Sequence, residues 1–419
     1  MFSGSVVKSG LLIIVALLVA LPVIGCAPGE TVPLSEEKVV RVGMLTDLTG
    51  PYSSIGGYTT NTCRDYYNYL NDEQGGIDGT KIEMIWSDHR NDLALAVTSY
   101  KRMKEQGVVV WTTVGTGDTT VTRAFVEADK IPVISWPVGC NVILPPSYVF
   151  CTMISNLQTL TGGSDWFQDE WEKKGLGRPM RMATLGWDIP YGRESLEPMG
   201  RWAEKCGAEL VAALWVPSTA VDYTVELLAI KDAKPDLILG ACHGGSLCRD
   251  AERVGLPQDV PIFCAAGSMG EPGYVDLAGA EVVRARMFSP LWTSADNKPV
   301  VSLIEELASQ RGVELRWVSE GQVFGWNNSV VVAEAIRKAI AEVGYENLNG
   351  EAVKEAAETI TGLDTGCGPP VSFTDYPNDR HGLGSFRVWR FDVAGDQWEA
   401  TTGFIEAMSF PDAMREYVE

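Results

Sequence analysis

Apolar runs of strand length alternate with longer segments of helical periodicity along most of the chain. One such unit runs from a strand at Val108–Val114, through a turn at Gly115–Asp118, to a helix at Thr119–Asp129 and a strand at Ile131–Ser135. Apolar residues spaced three and four apart predict that this helix buries one stripe. The residues of that predicted stripe are Val121, Ala124, Phe125 and Ala128. Strand, turn and helix in this order are typical of a parallel α/β sheet.

The same alternation occurs before and after this unit. The other strands predicted with it are Val39–Leu45, Lys81–Ser87, Met180–Trp187, Glu209–Trp215, Asp236–Ala241 and Ile262–Ala265. The longer predicted helices are Tyr58–Leu70, Leu93–Gln106, Leu157–Lys174, Tyr191–Cys206, Phe324–Val343 and Glu351–Thr361. The end of the chain predicts short strands at Val371–Phe373, Arg387–Asp392 and Trp398–Phe404. We therefore predict an α/β fold built from two βα arrays of parallel strands with right-handed crossovers.

The turn at Gly115–Asp118 is a candidate binding site. It lies where a strand ends, and open parallel sheets bind ligands at the carboxyl ends of their strands. The first amides of the following helix have no partner within the helix and can hold a ligand oxygen. The alternative is an ordinary βα turn in which Asp118 only caps the helix.

Composition and charge limit the classes of function. The 419 residues are enough for two domains, and 34 basic against 55 acidic residues give a net charge of −21. Such a charge argues against nucleic acid as a partner, because phosphates would not be neutralised. It suits a protein that stays monomeric in an extracytoplasmic space. Beyond the first 25 residues no apolar run is long enough to predict a membrane span.

The start of the chain predicts export. Lys8 precedes an apolar segment at Leu11–Leu21, and small residues then lead to Cys26. This order resembles the lipobox of bacterial lipoproteins, in which the cysteine becomes the lipidated first residue. We predict a signal peptide at residues 1–25, lipidation of Cys26 and a tether at residues 26–38. The chain would then lie in the periplasm or on the outer face of the cytoplasmic membrane. A cleaved signal with an incidental cysteine is the alternative.

Eight cysteines remain after Cys26, and disulfides persist in an oxidising compartment. We predict a disulfide between Cys140 and Cys151, which would close the proline-bearing loop between them. Cys242 and Cys264 end apolar strands, where they can also be simple buried thiols.

Three sequence patterns are near matches to other chemistry. Cys242, His243 and Cys248 lack a fourth metal ligand at a recognisable spacing. Residues 115–120 approach a dinucleotide-binding turn, but Thr120 replaces its third glycine. Residues 266–270 are one residue away from the elbow that carries a hydrolase serine, here Ser268. We therefore predict no metal, no cofactor and no catalytic residue, with a secreted serine hydrolase as an alternative.

A series of short motifs, weak singly, is specific in its order and spacing. They are Leu48–Pro51, Gly75–Gly79, Asp88 with Asn91–Asp92, Ile131–Ser135, Tyr191–Gly192, Asp222–Tyr223, Lys234–Asp236, Gly368–Pro369 and Val371–Phe373. Over Val39–Val393 the chain resembles the type I periplasmic solute-binding proteins of branched-chain amino acid (Leu/Ile/Val) ABC transporters. The resemblance implies two doubly wound parallel-sheet lobes, joined by three crossings, that close on a small-molecule ligand for a membrane permease to recognise. A sensory module that presents the closed form to a signalling partner is the alternative.

Lobe and site residues follow from the same resemblance. Lobe one would be residues 39–155 plus 290–370, and lobe two residues 156–289 plus 371–419. The residues implied to bind the ligand are Tyr52, Ser54, Ile55, Thr116, Gly117, Asp118, Trp136, Pro137, Gly139, Tyr191, His243 and Gly267. The family's usual serine pair is altered at Thr116–Asp118, and Ala266–Ser268 replaces the carboxylate that meets an amino-acid ammonium. We therefore expect a small, mostly neutral or aromatic ligand.

Overall fold

The computed structural model describes residues 37–136, 139–373 and 380–418, without the side chains of Cys140 and Asn141. The signal peptide, Cys26, most of the tether and Pro137 lie outside the described residues. The Cys140–Cys151 disulfide stays a prediction for the same reason. Within the described residues, no helix is both long and apolar enough to cross a membrane.

Five parallel strands form the first sheet, in the order β2-β1-β3-β4-β5. Their bounds are β1 (Val39–Thr46), β2 (Lys81–Asp88), β3 (Val108–Thr113), β4 (Val133–Ser135) and β5 (Val149–Cys151). Most residues of β1 and β3 are buried, as expected for strands covered by helices on both faces.

A second sheet of eight strands has the order β12-β11-β10-β9-β8-β6-β7, with β13 paired to β11. The bounds are β6 (Arg181–Trp187), β7 (Glu209–Val216), β8 (Leu237–Ala241), β9 (Ile262–Cys264), β10 (Ala285–Ser289), β11 (Ser385–Asp392), β12 (Gln397–Ala400) and β13 (Ile405–Glu406). Strands β6 to β10 are parallel, whereas β11 runs antiparallel to β10.

The described helices cover both sheets. Their bounds are α1 (Ser53–Glu73), α2 (Leu93–Lys104), α3 (Thr116–Asp129), α4 (Cys140–Ile143), α5 (Asn156–Lys173), α6 (Pro190–Leu196), α7 (Met199–Cys206), α8 (Thr224–Asp232), α9 (Gly244–Arg253), α10 (Pro272–Ala278), α11 (Pro299–Gln310), α12 (Glu320–Val343), α13 (Gly350–Glu358) and α14 (Phe410–Tyr417). Helices α11 and α12 pack on α1, and α13 packs on α12 and β3. Helices α5 to α10 and α14 belong with the second sheet and its neighbours.

We call the first sheet with α1–α4 and α11–α13 the first lobe, and the second sheet with α5–α10 and α14 the second lobe. The chain passes between them after β5, after β10 and again between α13 and β11. The predicted α/β fold with two sheets is confirmed, while the exact lobe boundaries stay a prediction.

The buried stripe of α3 differs from the predicted one. The helix begins at Thr116, three residues earlier than expected, and its buried residues include Thr119, Thr122 and Val126. Ala124 and Ala128 are exposed. The threonines can be buried because Thr119 Oγ1 contacts Thr113 Oγ1 at 2.7 Å and Thr122 Oγ1 donates to the Asp118 carbonyl at 2.7 Å.

Two further elements differ from the sequence prediction. The single helix expected over Tyr191–Cys206 is divided into α6 and α7 at Pro198, whose ring cannot donate a backbone hydrogen bond. The strand expected at Val371–Phe373 is only an isolated bridge between Val371 and Leu363.

Candidate functional site

A cavity lies between the two lobes and is lined by both. The residues from the first lobe are Tyr52, Ile55, Val114, Gly115, Thr116, Trp136 and Phe324. Those from the second lobe are Asn156, Trp187, Tyr191, Ala266, Gly267 and Ser268. The empty space among these residues is about 430 Å³. The cavity as it stands therefore admits only a small solute.

The first-lobe wall is fixed by the turn before α1. The Asp47 carboxylate accepts hydrogen bonds from the amides of Gly50 and Tyr52, the latter at 3.1 Å. Gly56 lets α1 approach β1, since a Cβ there would lie 2.0 Å from the Asp47 carbonyl oxygen. This turn holds Tyr52 and Ile55 at the cavity.

The second-lobe wall is built on the turn between β6 and α6. A Cβ at Gly192 would lie 2.1 Å from the Trp187 carbonyl oxygen, so glycine permits this close turn. The Tyr191 hydroxyl lies 2.6 Å from Ser268 Oγ and 3.1 Å from the Ala266 carbonyl oxygen. The Trp187 indole donates to the Tyr223 hydroxyl at 3.1 Å. These bonds orient both rings and join α6 to the turn after β9.

Aromatic rings meet across the gap between the lobes. The Tyr52 ring packs edge-on against Trp187 and Tyr191, with centroids 5.4 Å and 6.0 Å away. Trp136 and Phe324 form a second pair at 6.3 Å on the first lobe. None of the described lining residues is a lysine, arginine, aspartate or glutamate. The walls are thus apolar and aromatic, with a few uncharged polar groups.

Asp118 does not line the cavity, which differs from its expected role as a ligand contact. It is the third residue of α3 rather than its cap, and its carboxylate accepts from the Thr119 amide at 2.8 Å. The same group contacts His89 Nε2 at 3.0 Å, and both side chains are almost fully buried. The carboxylate therefore occupies the positive end of α3 from behind the cavity wall.

His89 is the partner that holds Asp118. Its Nδ1 accepts from the Asn91 amide at 3.1 Å, which fits a neutral ring that donates from Nε2 to Asp118. Burial lowers the pKa of His89, but the bond to Asp118 and the charges of Asp118, Asp47 and Asp88 outweigh burial and raise it. Protonation, which takes away the acceptor at Nδ1, would break the bond from Asn91.

Asn156 carries a buried polar atom in the cavity wall that lacks a hydrogen-bond partner among the described residues. It is 4% exposed and is the first residue of α5, directly after the chain crosses from the first lobe. Its Oδ1 is buried and has no hydrogen-bond partner among the described residues.

Two buried carboxyl groups lie behind Gly267. Glu320 Oε2 accepts from the Gly267 amide at 3.1 Å, and Glu271 Oε1 accepts from the Gly321 amide at 2.8 Å. Glu271 precedes α10 of the second lobe and Glu320 begins α12 of the first, so these bonds cross between the lobes. Burial raises the pKa of Glu271 to about 7. Burial and the charge of Glu271 raise the pKa of Glu320 to about 8.

The structure brings about half of the sequence-predicted site residues to the cavity. Those that line it are Tyr52, Ile55, Thr116, Trp136, Tyr191 and Gly267. Those that do not are Ser54, Gly117, Asp118, Gly139 and His243. Gly139 lies behind the cavity wall, where its amide donates to Thr116 Oγ1 at 3.1 Å. Pro137 lies outside the described residues.

His243 has a structural role instead. It is the N-cap of α9, where Nδ1 accepts from the Ser246 amide at 3.2 Å, and its ring packs on Tyr274. Burial lowers its pKa to about 4, so the ring is neutral at physiological pH. It faces a separate surface groove beside Pro51 and Arg249.

Seven lining residues were not among the predicted ligand-binding residues: Val114, Gly115, Asn156, Trp187, Ala266, Ser268 and Phe324. A polar residue at the first position of a helix that follows a strand was the available signal for Asn156. Phe324 carried no comparable signal, because its place at the cavity depends on the packing of α12 on α1 and β4.

Of the patterns set aside for other chemistry, residues 115–120 and residues 266–270 each contribute to the cavity wall. Among the described residues, no group of three or more histidine, cysteine, aspartate or glutamate side chains could hold a metal. Ser268, the residue at the elbow-like turn, forms a hydrogen bond with the Tyr191 hydroxyl. The ring of His381, the histidine downstream of Ser268 that a hydrolase would need, packs on Phe410 of α14.

Solved structures with the same fold include transport proteins. A branched-chain amino acid ABC transporter from Thermus thermophilus, solved with bound valine, is 19% identical with a TM-score of 0.79, covering 90% of this chain and 98% of that one. A fatty acid ABC transporter substrate-binding protein from Thermomonospora curvata is 23% identical with a TM-score of 0.76, covering 91% and 95%. A solute-binding protein from R. palustris in complex with benzoate is 16% identical with a TM-score of 0.73, covering 88% and 98%.

The comparison with protein-family models identifies the family of this chain. A search of curated protein sequences finds no match for the chain. The model of the periplasmic binding protein family, in contrast, matches residues 39–396, which is most of the chain. This match agrees with the two sheets, the crossings between them and the cavity that both lobes line. The chain therefore belongs to the periplasmic binding protein family.

Proposed function

We propose that this protein is the extracytoplasmic receptor of an ABC importer, and that its two lobes close on a small solute. The observation that carries the proposal is the cavity lined by both lobes. A ligand in such a place contacts both halves at once, so it stabilises the arrangement in which they are close. A permease in the membrane would then recognise the closed form.

The proposed ligand is small and mostly neutral or aromatic. Five aromatic rings and no charged side chain line the cavity within the described residues. Such walls favour a flat apolar group held by a few polar contacts. One similar structure contains valine, another contains benzoate and a third is described as a fatty acid transporter protein, so the fold itself does not select the solute.

A thermal-shift screen of the purified mature chain against amino acids, amides, ureas and aromatic acids would identify the solute. We expect a hit to raise the melting temperature and to reduce the radius of gyration in small-angle X-ray scattering. A ligand that stabilises the protein without compaction would contradict hinge closure. Tight binding of leucine would contradict the proposed ligand class.

We also propose that the chain is exported, lipidated at Cys26 and anchored as a monomer near its permease. The charged, apolar and cysteine segments of the leader support this proposal. Metabolic labelling with palmitate in a bacterial host should mark the wild type but not Cys26→Ser. Equal labelling of Cys63→Ser and wild type is the control, because Cys63 is buried. An unlabelled wild-type protein would contradict lipidation.

A further inference from the structure

The cavity contains an unused hydrogen-bond acceptor. The Oδ1 atom of Asn156 is buried and has no partner among the described residues. An amide oxygen without a donor destabilises a buried site, so such atoms in native proteins call for an explanation. The side chain lines the cavity, where a bound solute can supply the missing donor.

The position of Asn156 is fixed by the start of α5. Ser155 caps the helix, and its hydroxyl and amide both pair with Gln158 in a capping box. The residue after this cap is held where the chain enters the second lobe. The backbone of Asn156 is therefore held in position before a ligand arrives.

The opposite wall offers hydrogen-bond donors. Helix α3 begins at Thr116, and its N-cap Gly115 supplies no side chain to its first amides. Within the described part of the chain, the amides of Thr116 and Gly117 make no hydrogen bond. Amides in the first turn of a helix favour an oxygen atom with negative character. The Thr116 amide is thus a free donor on the first-lobe wall, and Asn156 carries an unpaired acceptor on the second-lobe wall.

We propose that the bound solute is a neutral carboxamide, with its carbonyl oxygen on the first amides of α3 and its N–H on Asn156 Oδ1. This inference rests on the proposed function and names the ligand class of the same cavity. A carboxamide satisfies both walls because it carries an acceptor and a donor on one carbon. The aromatic rings of the cavity would pack against the rest of the molecule.

A carboxylate fits the same groups less well. It has no proton for Asn156 Oδ1, so two acceptors would face each other in a buried site. The Asp118 carboxylate, held by His89 at the same end of α3, also repels a second negative charge. No described lysine or arginine lines the cavity to offset this repulsion.

Matched solutes test the proposal on the wild-type chain. The panel contains acetamide, benzamide, phenylacetamide and nicotinamide, each beside its carboxylic acid and its N,N-dimethylamide. In isothermal titration calorimetry we expect at least one carboxamide to bind at least about tenfold more tightly than its acid and its dimethylamide. The dimethylamide keeps the carbonyl and loses only the N–H donors. Tighter binding of the acids, or no binding of any carboxamide, would overturn the proposal.

Variants of Asn156 test the contact itself. We expect Asn156→Leu to weaken the best carboxamide by about tenfold or more, since its N–H would face an apolar side chain. Asn156→Asp keeps an acceptor for the solute N–H, so it should retain carboxamide affinity better than Asn156→Leu. Asn68→Leu on the exposed face of α1 is the control and should leave affinity unchanged. Unchanged carboxamide affinity in Asn156→Leu would exclude the contact.

The two proposals fail in different ways. If acids or other solutes bind and compact the protein while carboxamides do not, the receptor function stands and the carboxamide inference is wrong. If carboxamides bind without compaction, the inference stands and hinge closure is wrong.

Discussion

At the scale of single residues, the buried pair of His89 and Asp118 decides the chemistry at the start of α3. The carboxylate would otherwise be free to face the cavity, as its sequence position suggests. A histidine from the turn after β2 turns it inward and makes a hydrogen bond of 3.0 Å. The cavity consequently meets the amides of α3 without meeting the carboxylate.

We expect His89→Ala to lower the free energy of unfolding by about 2 kcal/mol, because a buried carboxylate loses a charge-assisted hydrogen bond. Urea unfolding followed by circular dichroism measures the change. The matched control is Arg90→Ala, whose side chain is 70% exposed and which should change stability by less than about 0.5 kcal/mol. Equal midpoints for His89→Ala and wild type would show that the pair adds nothing to stability.

Threonine explains why the buried stripe of α3 was predicted wrongly. Thr119 and Thr122 satisfy their hydroxyls within the protein, so they can take buried positions that the apolar pattern assigns to Val121 and Ala124. A hydrophobicity pattern counts threonine as polar, because the hydrogen-bond partners that allow its hydroxyl to be buried are known only from the structure.

At the scale of elements, α10 and α12 are joined by the carboxyl groups of Glu271 and Glu320. Each carboxyl group accepts a hydrogen bond from a backbone amide of the other lobe. The second oxygen of each group has no hydrogen-bond partner among the described residues. Neither forms an ion pair with any described basic side chain. The titratable groups around them are Tyr58, Tyr274 and Cys264, all of which have a raised pKa. The amides of Gly321 and Gly267 lower the pKa values of Glu271 and Glu320, but no described cation pairs with either group and burial outweighs these bonds.

We expect solute affinity to fall as pH rises between about pH 5 and pH 8. When the lobes are apart and water reaches the carboxyl groups, their pKa values should return toward the ordinary 4.5. With the lobes together the values are about 7 and about 8, so closure takes up protons in this range. For each proton taken up on closure, Kd rises by at most about tenfold per pH unit. Above pH 8 the affinity no longer changes with pH.

Titration calorimetry with a solute that does not ionise in this range measures the effect. Glu320→Gln keeps an acceptor for the Gly267 amide and removes one titrating group, so its pH slope should be smaller. Glu83→Gln, an exposed change in β2, should keep the wild-type slope. A flat wild-type profile would show that these carboxyl groups do not respond to closure.

At the scale of the whole molecule, the two lobes meet through Tyr52. Its ring lies on the first lobe and packs against Trp187 and Tyr191 of the second. Such ring pairs stabilise the arrangement in which the lobes are close.

We expect Tyr52→Ala to weaken solute binding by about tenfold, since the closed arrangement loses both ring contacts. The melting temperature without solute should change little, because Tyr52 lies at the edge of the core. Trp86→Ala is the control, as Trp86 is 45% exposed on β2. Calorimetry and thermal unfolding separate the two effects. Unchanged affinity would mean that Tyr52 takes no part in closure.

The sequence by itself determined the class of fold and the family. Alternating strand and helix patterns follow from local periodicity, and ordered turn motifs place Tyr52, Thr116 and Tyr191 at strand ends. Strand ends of parallel sheets share one edge, so these residues could be predicted to come together.

Only the tertiary structure decided which side chains face the cavity. Asn156 and Phe324 reach it from helices far apart in sequence, and His89 turns Asp118 away from it. The contact of Glu271 with α12 also spans two lobes. Orientation of this kind depends on packing between distant elements, and hydrophobic periodicity contains no information about that packing.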